Sequence, residues 1–293
     1  MDKVISNLNS RKTVIILGAS GLIGTTVSKY LSDKTNVFRV FRGEKENLKK
    51  QDIFVKKINF QTLELLTQQY KPNFIINCIG LTKHLANRES NKYFYPNVFI
   101  PRYLKILSDK FDFNLLHISS DCVFSGREGN YKETSLPDAM DYYGLTKAIS
   151  ETDLETIAMV LRTSTVGHEQ HTQHGLVEWF LSSEKNIKGF SRALFNGVTT
   201  LELAEVVWEI ISGKIKFQNG IFHVTSNTIS KYDFLSLINE IYEAKKNISK
   251  DERFIIDRTL HKSDKIKALD RSKKSWRKMI LKMKENRNNE FLK

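Results

Sequence analysis

The chain is poor in cysteine and has no long apolar run. Its 293 residues include only two cysteines, Cys78 and Cys122, which cannot build a disulfide framework or a four-thiolate zinc site. The longest uninterrupted apolar run, with glycine counted, covers residues 14–19, far below the roughly 20 residues that cross a bilayer. The opening MDKVISNLNSRK develops no apolar stretch of the kind found in secretory signals. These absences predict a cytoplasmic protein without a transmembrane segment.

Proline is also scarce, with four residues in the chain, and no repeat or low-complexity linker interrupts the pattern. Strand-like apolar runs alternate with helical patterns through the first half. The runs lie at 13–17, 37–41, 53–58, 74–78, 115–119 and 159–162, and the helical patterns at 22–31, 63–70, 98–107 and 143–154. Such alternation is typical of an α/β protein with a doubly wound parallel sheet. Helical patterns at 175–181, 201–211 and 232–242 and a strand at 220–224 predict a smaller C-terminal lobe, interwoven with the first.

Positive charge exceeds negative charge, and the excess is uneven. The formal net charge is +13, of which a net +8 lies in residues 250–293. We interpret this tail as a solvated helical face around Trp276, Met279, Ile280 and Met283. No aromatic stacking motif accompanies its charges, so we expect no specific nucleic-acid partner. An anionic ligand or a membrane surface for the tail stays open.

A glycine-rich loop joins the first strand to the first helix. It reads Gly18-Ala19-Ser20-Gly21-Leu22-Ile23-Gly24. Glycines permit a tight turn and a close approach of backbone N–H groups to a pyrophosphate, and the helix that follows points its positive end at that charge. A strand–loop–helix of this kind predicts a Rossmann-like dinucleotide site. The residues expected to bind the cofactor there are Gly18, Ser20, Gly21, Leu22, Ile23 and Gly24.

The end of the second strand bears on cofactor choice. An acidic residue there would bind the ribose diol of NAD, but this position holds Arg42. A guanidinium suits the 2′-phosphate of NADPH, so we expect NADPH, with NADH as the alternative. The competing interpretation is a surface arginine at a strand end.

Three polar residues follow in an informative order. Tyr143 and Lys147 lie four residues apart, on one face of a helix, and Ser120 precedes them at the end of a strand. The nearby ammonium is expected to favour the phenolate and so lower the pKa of Tyr143. Ser120 would hydrogen-bond a reacting carbonyl beside Tyr143. A tyrosine four residues before a lysine is common by chance, but its combination with the glycine loop and Ser120 is specific.

These motifs resemble the extended short-chain dehydrogenase/reductases, most closely the dTDP-4-dehydrorhamnose reductase branch. The resemblance rests on GASGLIG at 18–24, HISSDCVFSG at 117–126, YGLTKAISE at 143–151 and LRTSTVG at 161–167. It continues weakly through NGVTTLELA at 196–204 and GIFHVTS at 220–226. It implies that Ser120, Tyr143 and Lys147 are catalytic and that Tyr143 and Lys147 also contact the cofactor. It further implies an adenine contact at Asn59 and a nicotinamide-side loop with Cys78, Ile79 and Gly80.

The chain departs from the family pattern at three positions. Ser120 replaces a threonine and preserves the hydroxyl, whereas Ser125 replaces an aspartate. Cys122 stands where this branch has tyrosine and where sugar 4,6-dehydratases need a glutamate, which argues against a dehydratase. We interpret Cys122 itself as a small apolar filler, because no general base for thiolate chemistry is evident.

The substrate is expected to contact polar and aromatic residues around the second lobe. The candidates are Asp121, Trp179, Arg192 and Asn196. Trp179 competes with a core interpretation, because it lies on a helical apolar stripe. His168, His171 and His174 lack a clear metal-ligand spacing, and no metal is expected.

The resemblance implies NADPH-dependent reduction of the 4-keto group of a 6-deoxy-4-keto sugar nucleotide, dTDP- or UDP-linked, for surface polysaccharide or O-antigen synthesis. The alternatives are an NAD-dependent sugar-nucleotide epimerase and a non-catalytic, NADP-binding regulatory subunit. Residues 1–166 with 196–226 are expected to form the NADP-binding domain, and 167–195 with 227–293 the substrate lobe. A homodimer is left open.

Overall fold

The structure is a computed structural model that describes residues 11–43, 51–82, 91–169 and 173–291. A seven-stranded parallel sheet lies at its centre, in the strand order β11-β6-β5-β4-β1-β2-β3. Its strands are β1 (Thr13–Leu17), β2 (Asn36–Arg42), β3 (Asp52–Val55), β4 (Phe74–Asn77), β5 (Asn114–Ile118), β6 (Ala158–Arg162) and β11 (Gly220–His223). The doubly wound α/β prediction is confirmed.

Helices cover both faces of this sheet because alternate strand residues point to opposite sides. On one face, Val14 and Ile16 pack with α1 (Leu22–Leu31) and α7 (Thr200–Ile211). On the other, Ile15 and Leu17 pack with the remaining helices of the first half. Those helices are α2 (Phe60–Tyr70), a π-helical turn (Tyr95–Phe99), α4 (Ile100–Lys110) and α5 (Tyr142–Leu154). The short helix α3 (Asn91–Phe94) comes directly before the π-helical turn. The strand order reverses between β1 and β4, which opens a crevice at the carboxyl ends of the strands.

A second core lies in the C-terminal lobe. It is built from α6 (Leu176–Ser182), α8 (Lys231–Ile241) and α9 (Trp276–Phe291). The small strands here are β7 (Thr165–Val166), β8 (Asn186–Phe190), β9 (Ala193–Phe195), β10 (Val198–Thr199), β12 (Ile229–Ser230), β13 (Asn247–Asp251) and β14 (Ile256–Asp257). They pair as β10-β7, β12-β9-β14 and β13-β8. Among the described helices, none is both long and apolar enough to cross a membrane.

The basic tail differs from the interpretation as a solvated face. Trp276, Met279, Ile280 and Met283 are all buried in the second core, because α9 packs its apolar stripe against α8. The cations around it meet carboxylates. Arg271 pairs with Glu202 and Glu209, Lys274 with Glu202 and Glu205, Lys282 with Glu205, and Arg277 with Glu240. These four cations therefore hold the tail against α7 and α8.

Candidate active site

The glycine loop lies at the end of β1, where the crevice opens. Gly18 has a φ of 76°, and its carbonyl accepts a hydrogen bond from Gly21 N–H at 3.0 Å. A Cβ on Gly24 would lie 2.1 Å from the Gly18 oxygen, so only glycine fits there. Gly21 is the N-cap of α1, and the Gly21 carbonyl accepts from Thr25 N–H. The amides of Leu22, Ile23 and Gly24 therefore precede the first intrahelical donor.

The segment after β4 lies against this loop. A Cβ on Gly18 would meet the backbone of Cys78 and Ile79 at 3.0 Å, so the two strand ends are in close contact. Burial raises the pKa of Cys78 to about 12, despite the opposing charge of Lys147, and keeps this thiol protonated. The sequence-predicted residues Cys78, Ile79 and Gly80 thus sit beside the glycine loop, across the point where the strand order reverses.

Ser120 follows β5 at the same edge of the sheet. It is the N-cap of a 3-10 turn (Asp121–Val123), and its Oγ accepts a hydrogen bond from Cys122 N–H at 3.1 Å. Asp121 is buried, and its Oδ1 lies 3.1 Å from the Ser120 Oγ. Burial raises the pKa of Asp121, while nearby Arg258 opposes that rise.

Helix α5 brings a tyrosine to Ser120. Asp141 caps the helix through Gly144 N–H, and a Cβ on Gly144 would lie 2.3 Å from the Cys122 carbonyl oxygen. This glycine lets α5 press against the turn that carries Ser120. The result is that Tyr143 lies beside Ser120, whose side chain lowers the pKa of Tyr143. The structure therefore brings together two residues that the sequence separates by 23 positions.

The prediction that the Lys147 ammonium lowers the pKa of Tyr143 is wrong, because the pKa is raised. Burial raises the pKa of Tyr143 above its ordinary value, Cys122 and Asp121 raise it further, and the side chain of Ser120 lowers it. The Lys147 ammonium is directed elsewhere: its Nζ donates to the Ile118 carbonyl at 2.8 Å and lies 3.1 Å from His117 Nε2. Tyr143 is thus held as a neutral phenol, the form that can donate a proton.

Lys147 is the most unusual cation of the site. Its side chain is 3% exposed, and burial lowers its pKa to about 8, while Glu151 and Cys78 act in the opposite direction. A lysine in this environment exchanges its proton near neutral pH.

The sequence interpretation missed three residues that shape this site. Asn97, in the π-helical turn, accepts from Leu81 N–H at 2.8 Å and donates to Thr146 Oγ1 at 3.1 Å, so it ties the loop after β4 to α5. His117 contacts Lys147 directly. Arg258 donates to the Phe124 carbonyl at 3.0 Å and lies 3.6 Å from Cys122 Sγ. A π-helical turn is a common feature of functional sites, but nothing in the local sequence announced it.

Two cofactor candidates lie on the far side of the crevice. Arg42 is exposed at the end of β2, whereas its neighbour Arg39 forms an ion pair with Asp52. Asn59 caps α2 through a 2.8 Å hydrogen bond from Thr62 N–H to its Oδ1. The structure therefore gives Asn59 a capping role, and its contact with adenine stays a prediction.

The substrate candidates of the second lobe divide into two kinds. Trp179 is 42% exposed on α6, so it is not a core residue, and Arg192 is exposed between β8 and β9. Asn196 has a structural role as well. It is buried, and its amide donates to the Leu260 carbonyl at 2.7 Å and accepts from Leu260 N–H at 2.8 Å. Both ends of the amide therefore bind the backbone of Leu260, and contact of Asn196 with the substrate stays a prediction.

Two of the three histidines considered as metal ligands, His168 and His174, lie in the described part of the chain. His168 contacts Glu178 at 2.6 Å and Tyr242 at 2.7 Å, and His171 falls outside the described residues. No group of three or more His, Cys, Asp or Glu side chains with a metal-binding arrangement occurs in the described part of the chain.

Comparison with known proteins places this geometry in a family. The family model described as RmlD substrate binding domain matches residues 12–276, which is most of the chain. The chain belongs to the RmlD substrate binding domain family. This membership confirms the resemblance to the dTDP-4-dehydrorhamnose reductase branch and the prediction of an oxidoreductase.

Two curated relatives and one solved structure show how far the similarity extends along the chain. A curated relative, dTDP-4-dehydrorhamnose reductase of Aggregatibacter actinomycetemcomitans, is 29% identical over 80% of either chain. A crystal structure of dTDP-4-dehydrorhamnose reductase from Bacillus anthracis in complex with NADP superposes with a TM-score of 0.76, at 18% identity, and covers 94% of this chain and 99% of that one. It shows a shared extended short-chain dehydrogenase/reductase fold. Methionine adenosyltransferase 2 subunit beta of Xenopus tropicalis is 26% identical, over 48% of this chain and 42% of its own length.

Proposed function

We propose that this chain is an NADPH-dependent reductase of the 4-keto group of a 6-deoxy-4-keto sugar nucleotide, dTDP- or UDP-linked, that serves surface polysaccharide or O-antigen synthesis. The observation that carries the proposal is the close packing of α5 against the Ser120 turn, which places Tyr143 beside Ser120, with Lys147 one helical turn further on. This group lies at the edge of the sheet where the glycine loop ends. The 29% identical relative that is named a dTDP-4-dehydrorhamnose reductase supports the substrate class.

The residues present fit a dinucleotide cofactor. The loop from Gly18 to Gly24 leaves no room for a Cβ at position 24, and the first amides of α1 face the crevice without an intrahelical acceptor. Gly18, Ser20, Gly21, Leu22, Ile23 and Gly24 would hold the pyrophosphate, Arg42 the 2′-phosphate, Asn59 the adenine, and Cys78, Ile79 and Gly80 the nicotinamide side. When bound, NADPH supplies a hydride to the carbonyl carbon.

The chain's own residues supply the proton and the orientation. The Ser120 hydroxyl hydrogen-bonds the carbonyl oxygen and holds it beside Tyr143. The Tyr143 phenol gives its proton to that oxygen as charge develops there, and the product is an alcohol. Lys147 then returns a proton to Tyr143. A phenol whose pKa is raised by burial is protonated at neutral pH, which suits this role as an acid.

The substrate side of the proposal adds the second lobe. Asp121 and Arg258 lie beside the Ser120 turn and would contact the sugar and an anionic group. Trp179 and Arg192 would contact the rest of the nucleotide. We propose residues 1–166 with 196–226 as the cofactor domain and 167–195 with 227–293 as the substrate lobe. We also propose a cytoplasmic location, where free NADPH is available, and leave a homodimer open.

A pair of adjacent tyrosines tests the reductase directly. Purified protein, NADPH and a panel of dTDP- and UDP-linked 4-keto-6-deoxy sugars should give a fall in the near-ultraviolet absorbance of NADPH. Tyr143→Phe is expected to lower kcat by about a hundredfold to ten-thousandfold, the usual contribution of a positioned acid. The control is Tyr142→Phe, because Tyr142 is 50% exposed, and it should retain wild-type kcat.

Two results would contradict the proposal. Conversion of a sugar nucleotide without net loss of NADPH would instead identify an epimerase. Absence of any turnover, together with an unchanged cellular phenotype in Tyr143→Phe, would favour a regulatory subunit. The partial similarity to methionine adenosyltransferase 2 subunit beta makes that second candidate specific, and co-purification with an adenosyltransferase would support it.

The choice of NADPH has its own test. Arg42→Ser removes the exposed cation at the end of β2, so KM for NADPH should rise about tenfold, the value of a charge-assisted hydrogen bond. KM for NADH should stay unchanged in the same variant. Equal effects on the two cofactors would remove Arg42 from the 2′-phosphate site.

A further inference from the structure

His117 is a buried histidine that the proposed mechanism does not use. It lies on β5, fully enclosed, and both of its ring nitrogens have polar neighbours. The Nδ1 atom lies 3.0 Å from Asn77 Nδ2, and the Nε2 atom lies 3.1 Å from Lys147 Nζ. Burial, together with the charge of Lys147, holds the pKa of His117 well below its ordinary value, so the ring is neutral and carries one N–H.

Asn77 decides which ring nitrogen carries that proton. Its Oδ1 accepts a hydrogen bond from Ile79 N–H at 3.1 Å, which fixes the orientation of the amide. The Nδ2 group therefore faces His117 and donates to Nδ1. Because Nδ1 accepts, the ring proton must lie on Nε2.

The Nε2–H of His117 consequently points towards Lys147. An ammonium has no lone pair with which to accept this hydrogen, whereas a neutral amine has one. The Ile118 carbonyl, 2.8 Å from Nζ, accepts from lysine in either protonation state. Ser150 Oγ lies 3.4 Å from Nε2 and donates its own hydrogen to the Lys147 carbonyl at 2.7 Å, so it offers the ring an alternative acceptor.

We propose that His117 is a positioning residue that stabilises the neutral amine of Lys147 through its Nε2–H and so assists proton delivery to Tyr143. This inference rests on the proposed function. After Tyr143 has given its proton to the substrate oxygen, an N–H bond of the Lys147 ammonium breaks and an O–H bond reforms on Tyr143. The electron pair left on Nζ accepts the hydrogen bond from His117. The amine then regains a proton from solvent.

Glu151 and Cys78 also act on the pKa of Lys147, but neither of them stabilises its neutral amine. Glu151, on the same helix, favours the ammonium, but its carboxylate is held by Arg162 at 2.7 and 3.1 Å and by Ser119 Oγ at 2.5 Å. Cys78, after β4, would act in the same direction only as a thiolate, and its raised pKa keeps the thiol protonated. Burial lowers the pKa of Lys147, and the proposed hydrogen bond from His117, on β5, would act in the same direction as burial and against Glu151.

The first test needs no substrate. Nitrogen-15 NMR of the labelled imidazole rings should show one histidine that stays neutral in the Nε2–H form across the neutral range. It is assigned to His117 by its loss from the spectrum of His117→Gln. An Nδ1–H tautomer or an imidazolium for this ring would overturn the proposal, whatever the protein catalyses.

The second test follows kcat for NADPH oxidation against pH. The wild type should lose activity above about pH 8, where Lys147 loses its proton. In His117→Gln, the amide oxygen can turn towards the Lys147 ammonium and accept a hydrogen bond from it. The pKa of Lys147 should then rise by about one unit, a tenfold gain in proton affinity, and the loss of activity should move to higher pH by the same amount. In Ser150→Ala, Lys147 is the remaining acceptor for the Nε2–H of His117. The neutral amine is then stabilised further, so the pKa of Lys147 should fall and activity should be lost at a lower pH.

A matched control separates these shifts from general loss of packing. Ser28→Ala alters a buried serine on α1, which covers the opposite face of the sheet, and should leave the pH profile unchanged. Active His117→Gln and Ser150→Ala variants with wild-type profiles would overturn the proposal. If the wild type oxidises no NADPH with any sugar nucleotide, the proposed function fails, and the NMR result alone decides the arrangement of His117.

Discussion

At the scale of single residues, the glycines of the loop differ in how much space each has for a side chain. A methyl group at Gly24 would lie 2.1 Å from the Gly18 oxygen, whereas at Gly21 the nearest atom would be 3.4 Å away. Gly24→Ala must therefore move backbone, and we expect a loss of about 1–3 kcal/mol in the free energy of unfolding, together with loss of NADPH binding. Urea unfolding and a fluorescence titration with NADPH would measure both.

Gly21→Ala is the control for the loop, because its Cβ makes only ordinary contact. It should unfold at the wild-type urea concentration, although the methyl group can weaken cofactor affinity at the helix start. Equal stability and equal NADPH binding in Gly24→Ala and the wild type would show that the loop can relax.

The residue scale also shows where sequence reasoning stops. The spacing of Gly18, Gly21 and Gly24 is local, so the loop could be predicted from the chain. His117 could not, because its partners lie 40 positions earlier, at Asn77, and 30 positions later, at Lys147. The same limit explains the wrong expectation for the pKa of Tyr143. Spacing on a helix showed that Lys147 is near, but it did not show that His117 and Ile118 engage its ammonium.

At the scale of elements, ion pairs of unequal burial hold the tail against α7 and α8. Arg271 contacts Glu202 at 2.5 Å and Glu209 at 2.8 Å, and it is 11% exposed, whereas Arg277 is 48% exposed in its pair with Glu240. Arg271→Gln removes one of the two cations that contact the buried carboxylate of Glu202, while Lys274 stays at 2.7 Å, and the lost charged hydrogen bond should cost about 1.5–3 kcal/mol. Arg277→Gln should leave the urea midpoint almost unchanged, because this ion pair is solvent-exposed. Urea midpoints of the two variants give the comparison, and similar midpoints would contradict the buried-network interpretation.

The elements themselves were unequally predictable. The long helix α1 and the buried strand β1 match the predicted spans 22–31 and 13–17, because their apolar periodicity is strong. Helix α2 begins three residues before the predicted position 63, because Asn59 caps it. Strands such as β7 and β10 have two residues each, so they carry no period, and only their pairing defines them.

At the scale of the whole molecule, buried histidines make stability depend on pH. Burial lowers the pKa of His223 to about 3, and the neighbouring Arg162 adds to the effect. In the unfolded chain a histidine binds its proton near pH 6.5. Between these values only the unfolded chain is protonated, so the free energy of unfolding falls as the pH falls from about 6.5 towards 3.

Replacement of this histidine should make the molecule less sensitive to acid. His223→Gln retains an acceptor for Arg162 but cannot be protonated, so the slope of unfolding free energy against pH should decrease by about 1.4 kcal/mol per pH unit. His174→Gln, at an exposed position, serves as the control and should keep the wild-type slope. Chemical unfolding at several pH values measures the slopes, and an unchanged slope in His223→Gln would contradict the assignment.

The position of β11 in the central sheet has a consequence for synthesis of the chain. It pairs with β6, yet 57 residues separate the end of β6 from the start of β11, and much of the second lobe is made in between. During translation, the edge of β6 that later pairs with β11 therefore stays without a partner strand until about three quarters of the polypeptide has emerged. Nascent chains stalled just before residue 220 should recruit chaperones more strongly than chains released slightly later.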